Sequence, residues 1–295
     1  MLKVEGLEKN FGNKKVLKGL SFRANSHEIT GLIGKNGAGK TTIFHSILKF
    51  INFDGKILFN GEPITKDVYR EIGYLPEERS LMPKLTVFQQ VRFLASLKGM
   101  SVREIRKELL IWMDKLEVKG SPDDKIKSLS KGNQQKIQLI CTLIHRPKLI
   151  ILDEPFSGLD PVNTDLLKEI ILDERRRGAT IVFSDHDMTN VEELCDKLIM
   201  ISNGEIVLNG EIQEIRLSFG STKIFVQTNL SMEQLQSIDH VTSVKKTKYG
   251  TYQLDIEDEK YGEEIFNIIT GGKYVKTFDQ QPPTLNEIFK MEARR

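Results

Sequence analysis

Cysteine is scarce: Cys141 and Cys195 are the only two in 295 residues. That excludes a disulfide scaffold and any cysteine metal site at motif spacing. Both thiols lie in apolar, helix-like segments and read as buried core groups, which suits a reducing compartment. Long apolar runs are missing as well: none approaches the roughly 20 residues that span a bilayer. The opening Met1-Leu2-Lys3-Val4-Glu5 has no signal-peptide apolar core. A role at a membrane would therefore need a second, spanning chain. An excess of one charge is absent, with 43 basic against 41 acidic residues and a net charge of +2. No nucleic-acid partner is expected on electrostatic grounds. Internal repeats and low-complexity linkers are not seen. What remains is 39% hydrophobic and 28% charged, a globular composition, in a chain long enough for one large domain and a small one.

The most informative stretch is Gly34-Lys35-Asn36-Gly37-Ala38-Gly39-Lys40-Thr41, which fits the phosphate-binding loop G-x-x-x-x-G-K-[ST]. Before it, Glu28-Ile29-Thr30-Gly31-Leu32-Ile33 reads as a buried strand; after it, Ile43, Phe44, Ile47 and Leu48 fall at helical spacing. The motif needs this strand, loop and helix. Its glycines let the backbone N–H groups turn inward around a polyanion, and the following helix adds the positive end of its dipole. Lys40 supplies a point charge for the β- and γ-phosphates, and the Thr41 hydroxyl is a hard oxygen ligand for Mg²⁺. Thr42 falls one residue deeper, toward an α-phosphate.

Residues 1–7 and 16–24 read as an antiparallel pair turning at Gly12-Asn13, with Phe11 at the turn. An aromatic there suits an adenine ring, although a Phe at a strand end is commonly core. Residues 55–59 and 70–75 read as further strands, the second ended by Pro76 and followed by Glu77-Glu78-Arg79 in a loop. Helical patterning covers 86–100, with Val87, Val91, Leu94 and Leu97 on one face. It resumes over 101–116, with Leu109, Leu110, Trp112, Met113 and Leu116 as its apolar side and a capping box at Ser101 and Glu104. Leu129-Ser130-Lys131-Gly132-Asn133 opens another apolar helix that Pro147 ends; its N-terminus is a second potential phosphate site.

The unbroken apolar run Leu149-Ile150-Ile151-Leu152 reads as a strand buried on both faces, delivering Asp153 and Glu154 at its carboxyl end, where open α/β sheets bind ligands. A similar strand, 180–184, delivers Asp185 and His186. Between them Ser157-Gly158-Leu159-Asp160-Pro161 turns into a helix. An acidic pair or a lone His after a strand is ordinary by itself; the phosphate loop upstream is what gives these a chemical reading. Periodicity changes after Leu217, and strands at 223–228, 241–246 and 251–256 with helices near 261–269 and after Thr284 form a small α+β appendage.

Taken in order, these motifs resemble the nucleotide-binding subunit of an ATP-binding cassette (ABC) transporter. The resemblance covers residues 1–217 as an ATP-binding domain with a helical insert at about 79–145, and leaves 218–295 as an accessory domain. It implies an α/β P-loop NTPase fold with a mixed sheet core and an N-terminal antiparallel β subdomain. By that resemblance Phe11 stacks on adenine, and the loop from Gly34 to Thr42, including Lys35, Asn36, Gly37, Ala38, Gly39, Lys40 and Thr41, holds the phosphates. Asp153 binds Mg²⁺ through water, Glu154 is the general base and His186 contacts the γ-phosphate. Ser130 and Gly132 hold the γ-phosphate bound to the opposite subunit, and Asp160 belongs to the loop that communicates across the dimer. The signature departs from the usual Leu-Ser-Gly-Gly-Gln at Lys131 and Asn133. Glu77 stands where a glutamine is usual; a carboxylate still binds Mg²⁺ but donates no hydrogen bond unless protonated. The stretch 72–79 and the tail 281–289 resemble the sodium-efflux and multidrug exporter subgroup.

The expectation is an ATPase using ATP and Mg²⁺, dimerised head to tail with a like or related chain. It would dock integral membrane permease subunits through the Glu77 loop and residues 79–99, on the cytoplasmic face of the cell membrane. Two alternatives stay open: a soluble ABC ATPase acting on ribosomes or DNA, and a regulatory cassette with slow hydrolysis. A second cassette and a long coiled-coil insertion, the marks of the soluble types, are absent from these residues.

Overall fold

The computed structural model describes residues 1–78, 80–247 and 250–292, so Arg79, expected in the Glu77 loop, lies outside them. Two compact units are formed, Met1–Asn209 and Gly210–Arg295.

In the first unit, β1 (Leu2–Phe11) and β2 (Lys14–Ala24) pair antiparallel across the Gly12-Asn13 turn. β3 (Glu28–Gly34) runs into the phosphate loop and α1 (Lys40–Ile47). β4 (Asp54–Phe59) and β5 (Glu62–Pro63) return to the first sheet, whose order is β2-β1-β4-β5. The alternation of β1, β2 and β4 buries Leu2, Val4, Phe22 and Ile57 against Phe44 and Ile47 of α1 in one core, fixing the loop between two layers.

β6 (Ile72–Leu75) precedes three helices, α2 (Val87–Leu97), α3 (Val102–Lys115) and α4 (Lys131–Leu143). Thr86 and Ser101 both close capping boxes, with Gln89 and Glu104. Two residues depart from the expected apolar faces: Leu97 is 64% exposed and Leu110 is 55% exposed. Each lies beyond the arc that packs on neighbouring helices, since Val87, Val91, Leu109 and Trp112 fill it. α4 ends at Leu143, before Pro147, and the chain turns at Arg146, whose φ is +54°.

β7 (Leu149–Asp153), α5 (Pro161–Arg176), β8 (Thr180–Ser184), α6 (Met188–Leu194), β9 (Lys197–Ser202) and β10 (Glu205–Glu211) complete the second sheet. Its order is β10-β9-β3-β8-β7-β6, and β9 through β6 run parallel. Cys141 is buried on α4 and Cys195 follows α6; both are free thiols, and burial pushes Cys141 up to about 12.

The second unit holds α7 (Ile212–Leu217), β11 (Lys223–Gln227), α8 (Met232–Gln236), β12 (Val241–Lys246), β13 (Tyr252–Ile256), α9 (Gly262–Thr270), β14 (Thr277–Gln281) and α10 (Leu285–Glu292). Its antiparallel sheet, β12-β13-β11-β14, covers a core of Ile224, Val226, Leu254 and Ile265. The units part at Asn209/Gly210 rather than at the change of periodicity after Leu217, because α7 packs with α10. β14 and α8 were not apparent in the sequence: β14 is a polar, half-buried edge strand defined by its pairing with β11. Lys223, inside this unit, is buried in an ion-pair group with Asp255 at 2.6 Å and Glu287 at 2.8 Å.

Candidate active site

The register of the parallel strands brings the candidate residues to one sheet edge. Leu32 of β3 lies level with Ser184 of β8, Ser184 with Asp153 of β7, and Leu152 with Leu75 of β6. The phosphate loop, Asp185-His186, Asp153-Glu154 and Pro76-Glu77 all continue from those carboxyl ends, so residues far apart in sequence become neighbours.

The edge opens on a cleft of about 360 Å³ lined by Asn36, Gly37, Gly39, Lys40, Thr41, Thr42, Glu77, Asp153 and Glu154. Gly37 and Gly39 have φ of +80° and +112°, and a Cβ on Gly39 would lie 2.6 Å from Leu17 Cδ2. Both the loop's curl and its close approach to β2 therefore require glycine. Lys40 is buried; its Nζ donates to Gly34 O at 2.9 Å and stands 3.9 Å from Glu154 Oε1.

Thr41 Oγ1 donates to Asp153 Oδ2 at 3.1 Å, and Ser184 Oγ donates to Asp153 Oδ1 at 2.6 Å. Ser184 also accepts from Glu154 N through Oγ at 3.1 Å. Glu154 sits at φ +51°, a left-handed conformation costly for a side-chain-bearing residue. Held so, its carboxylate accepts from His186 Nδ1 at 2.6 Å while Lys40 faces the other oxygen. That hydrogen bond holds the His186 imidazolium above its ordinary pKa, against partial burial. Asp185, buried beneath, accepts from His186 N at 2.7 Å, Asp187 N at 2.9 Å and Asn190 Nδ2 at 2.9 Å. Burial, with the charges of Asp153 and Glu77, pushes the Tyr74 phenol up.

Other expected residues are placed elsewhere. Phe11 is 51% exposed on the β1–β2 hairpin, with Lys9 Nζ 4.9 Å from its ring centre, and is not part of the cleft lining. Lys35 and Ala38 belong to the loop but do not line the cleft. Ser130 caps α4, accepting from Asn133 N at 3.3 Å, and Asp160 caps α5, accepting from Asn163 N at 3.0 Å. The Asn163 bonds hold the Asp160 carboxyl below its ordinary pKa. Gly132 faces Asn163 Nδ2, 3.8 Å from where a Cβ would stand. Signature and turn thus adjoin one another, apart from the cleft of the same chain. Ser184, Asp185 and Asn190 carry much of the geometry and had no assigned role in the sequence. For Ser184 and Asp185 the available signal was their position at the end of a buried strand; Asn190, within α6, offered none.

The profile described as "ABC transporter" matches residues 17–157, and that of the "ATP-binding protein DrrA1-3-like, C-terminal domain" matches residues 210–293. The chain is 41% identical over 290 residues to the uncharacterized ABC transporter ATP-binding protein YhaQ of Bacillus subtilis (strain 168), covering 98% of this chain and 97% of that one. To the lipopolysaccharide export system ATP-binding protein LptB of Haemophilus influenzae it is 32% identical, covering 73% of this chain and 92% of that one. A solved structure of an ATP binding subunit of an ABC transporter overlays with a TM-score of 0.70 at 30% identity, covering 74% of this chain and 93% of that one. With an α/β P-loop fold, a phosphate loop facing an Asp-Glu pair and these similarities over nearly its whole length, the chain belongs to the ATP-binding proteins of ABC transporters, the ATP-hydrolysing subunits of that family.

Proposed function

We propose that the protein powers an exporter: two ATP-binding chains close head to tail on ATP, hydrolyse it, and move separate integral membrane permease subunits at the cytoplasmic face. The observation that carries this reading is the single sheet edge on which Thr41 meets Asp153 and Glu154 lies between Lys40 and His186. The export direction draws support from the likeness to an export-system ATP-binding protein. The C-terminal unit, from Gly210 rather than from residue 218, acts as an accessory domain to the ATP-binding region and its helical insert.

The residues fit Mg²⁺: Thr41, Asp153 and Glu77 present hard oxygen donors on one cleft. When bound there, Mg²⁺ neutralises charge on the β- and γ-phosphate oxygens. Lys40 and the loop amides of 34–42 hold the phosphates, and Phe11 stacks on the base. Glu154 orients the attacking water and takes its proton. His186 donates Nδ1–H to Glu154, so its Nε2 donates to a γ-phosphate only as imidazolium, the form its raised pKa favours. Ser130 and Gly132 contribute from the opposite chain, and Asp160 shapes the turn between the two sites. The Glu77 loop and the exposed side of α2 form the permease-facing surface.

Glu154→Gln should bind ATP yet lose turnover by about 10²–10⁴-fold, the range for removing a general base, and accumulate as a dimer. Light scattering with Mg²⁺-ATP checks this. A monomer that hydrolyses at the parental rate would overturn the assignment.

A further inference from the structure

α4 carries a buried polar seam that the catalytic reading leaves unused. Gln135, Gln138 and Thr142 follow one another at spacings of three and four residues, on one face of the helix, and all three are buried. A face turned to the core is ordinarily apolar, so each polar group there needs a partner. The partners are backbone carbonyls of the segments that carry the acidic residues. Gln138 Nε2 donates to Pro76 O and to Glu78 O, both at 3.3 Å, on either side of Glu77. Gln135 Nε2 reaches Pro155 O, next to Glu154, at 3.4 Å, while Thr142 Oγ1, bonded to Gln138 O of its own helix at 3.0 Å, lies 3.3 Å from Tyr74 O. Gly73 permits the contact, since a Cβ there would stand 2.5 Å from Thr142 O. Gln138 Oε1 is buried with no hydrogen-bond partner among the described residues. An orphaned acceptor costs stability, so packing alone does not account for an amide at this position.

We propose that Gln138 is a positioning residue: it clasps the two carbonyls flanking Glu77 and so ties the Glu77 loop to the helix that starts at Ser130 and Gly132. The proposal rests on the functional reading above only in treating Glu77 as a metal ligand and Ser130 as a contact to nucleotide on the opposite chain. A displacement of α4 when its N-terminus engages nucleotide is then transmitted to the loop through the seam. Gln135 carries the same displacement to the segment after Glu154.

Gln138→Met tests this, because methionine keeps the length, removes the donor and removes the orphaned acceptor. Without nucleotide, amide hydrogen exchange over residues 75–78 should speed up about tenfold while the melting temperature stays or rises. The Mg²⁺ concentration for half-maximal ATPase activity should rise about fivefold, with ATP affinity in EDTA unchanged, and Glu77→Gln combined with Gln138→Met should add nothing further. Unchanged exchange over 75–78 in a folded Gln138→Met protein overturns the proposal. Faster exchange without a change in Mg²⁺ dependence keeps the clasp and instead refutes Glu77 as a metal ligand. Should Gln138→Met lower the melting temperature, Gln138→Leu decides by the same exchange measurement.

Discussion

Lys40 and Glu154 face each other at 3.9 Å, both nearly buried, with His186 on the far carboxylate oxygen at 2.6 Å. Without phosphate, the carboxylate is the counter-charge for both cations. Removing the lysine should therefore act twice: it deletes the phosphate's main cation and leaves Glu154 less compensated. Lys40→Ala is expected to weaken ATP binding by about 2–5 kcal/mol, as for a truncated buried charge partner, measurable by calorimetry. Ser184 makes a sharper test of the geometry. Its hydroxyl donates to Asp153 and accepts from Glu154 N, so Ser184→Ala loses one charge-assisted and one ordinary bond. About 2 kcal/mol of stability should go, and the Mg²⁺ needed for activity should rise as Asp153 loosens. A denaturant melt and a Mg²⁺ titration read both. The placement of the phosphate loop, Asp153 and Glu154 at this edge was legible because a strict motif and a buried strand are each written in consecutive residues. Ser184 and Asp185 were not, since their roles are hydrogen bonds across β7 and β8 that only the register creates.

The helices and strands themselves were readable wherever capping and periodicity agreed, as at Ser101 and Glu104. They were unreadable where pairing decides, as for β14. The helical insert holds the clearest pH-dependent element. His145, just past α4, donates Nε2–H to Ile72 O at 3.2 Å, while its Nδ1 is buried without a partner among the described residues. Burial, with Lys98 and Arg177 adding like charge against the carbonyl's opposing pull, lowers its pKa to about 4. The folded state thus favours the neutral ring. The contribution is complete above the ordinary value of 6.5 and is lost as pH falls from there through about 4, up to about 3 kcal/mol. His145→Gln, which keeps a donor for Ile72, should flatten that part of the stability–pH curve. An unchanged curve would locate the acid sensitivity elsewhere.

Across the chain, the ATP-binding unit has two sheets and the C-terminal unit one, and each unit has its own core. Ser130 and Gly132 lie outside the cleft that holds Lys40 and Glu154, so within one chain the phosphate loop lacks the signature. That separation is the structural reason to expect a closed form built from two chains. No helix among the described residues is long and apolar enough to cross a membrane. The fold was legible from the order of motifs, whereas the point of division was not. The sequence changes character after Leu217, but α7 belongs by packing to the second unit.

Coupling to a membrane partner is tested by purifying Glu154→Gln from detergent-solubilised membranes in Mg²⁺-ATP and identifying what accompanies it. An ATPase coupled to a permease brings down an integral membrane protein in ATP and releases it when ATP is removed. Recovery of ribosomes, DNA or soluble partners alone would contradict it.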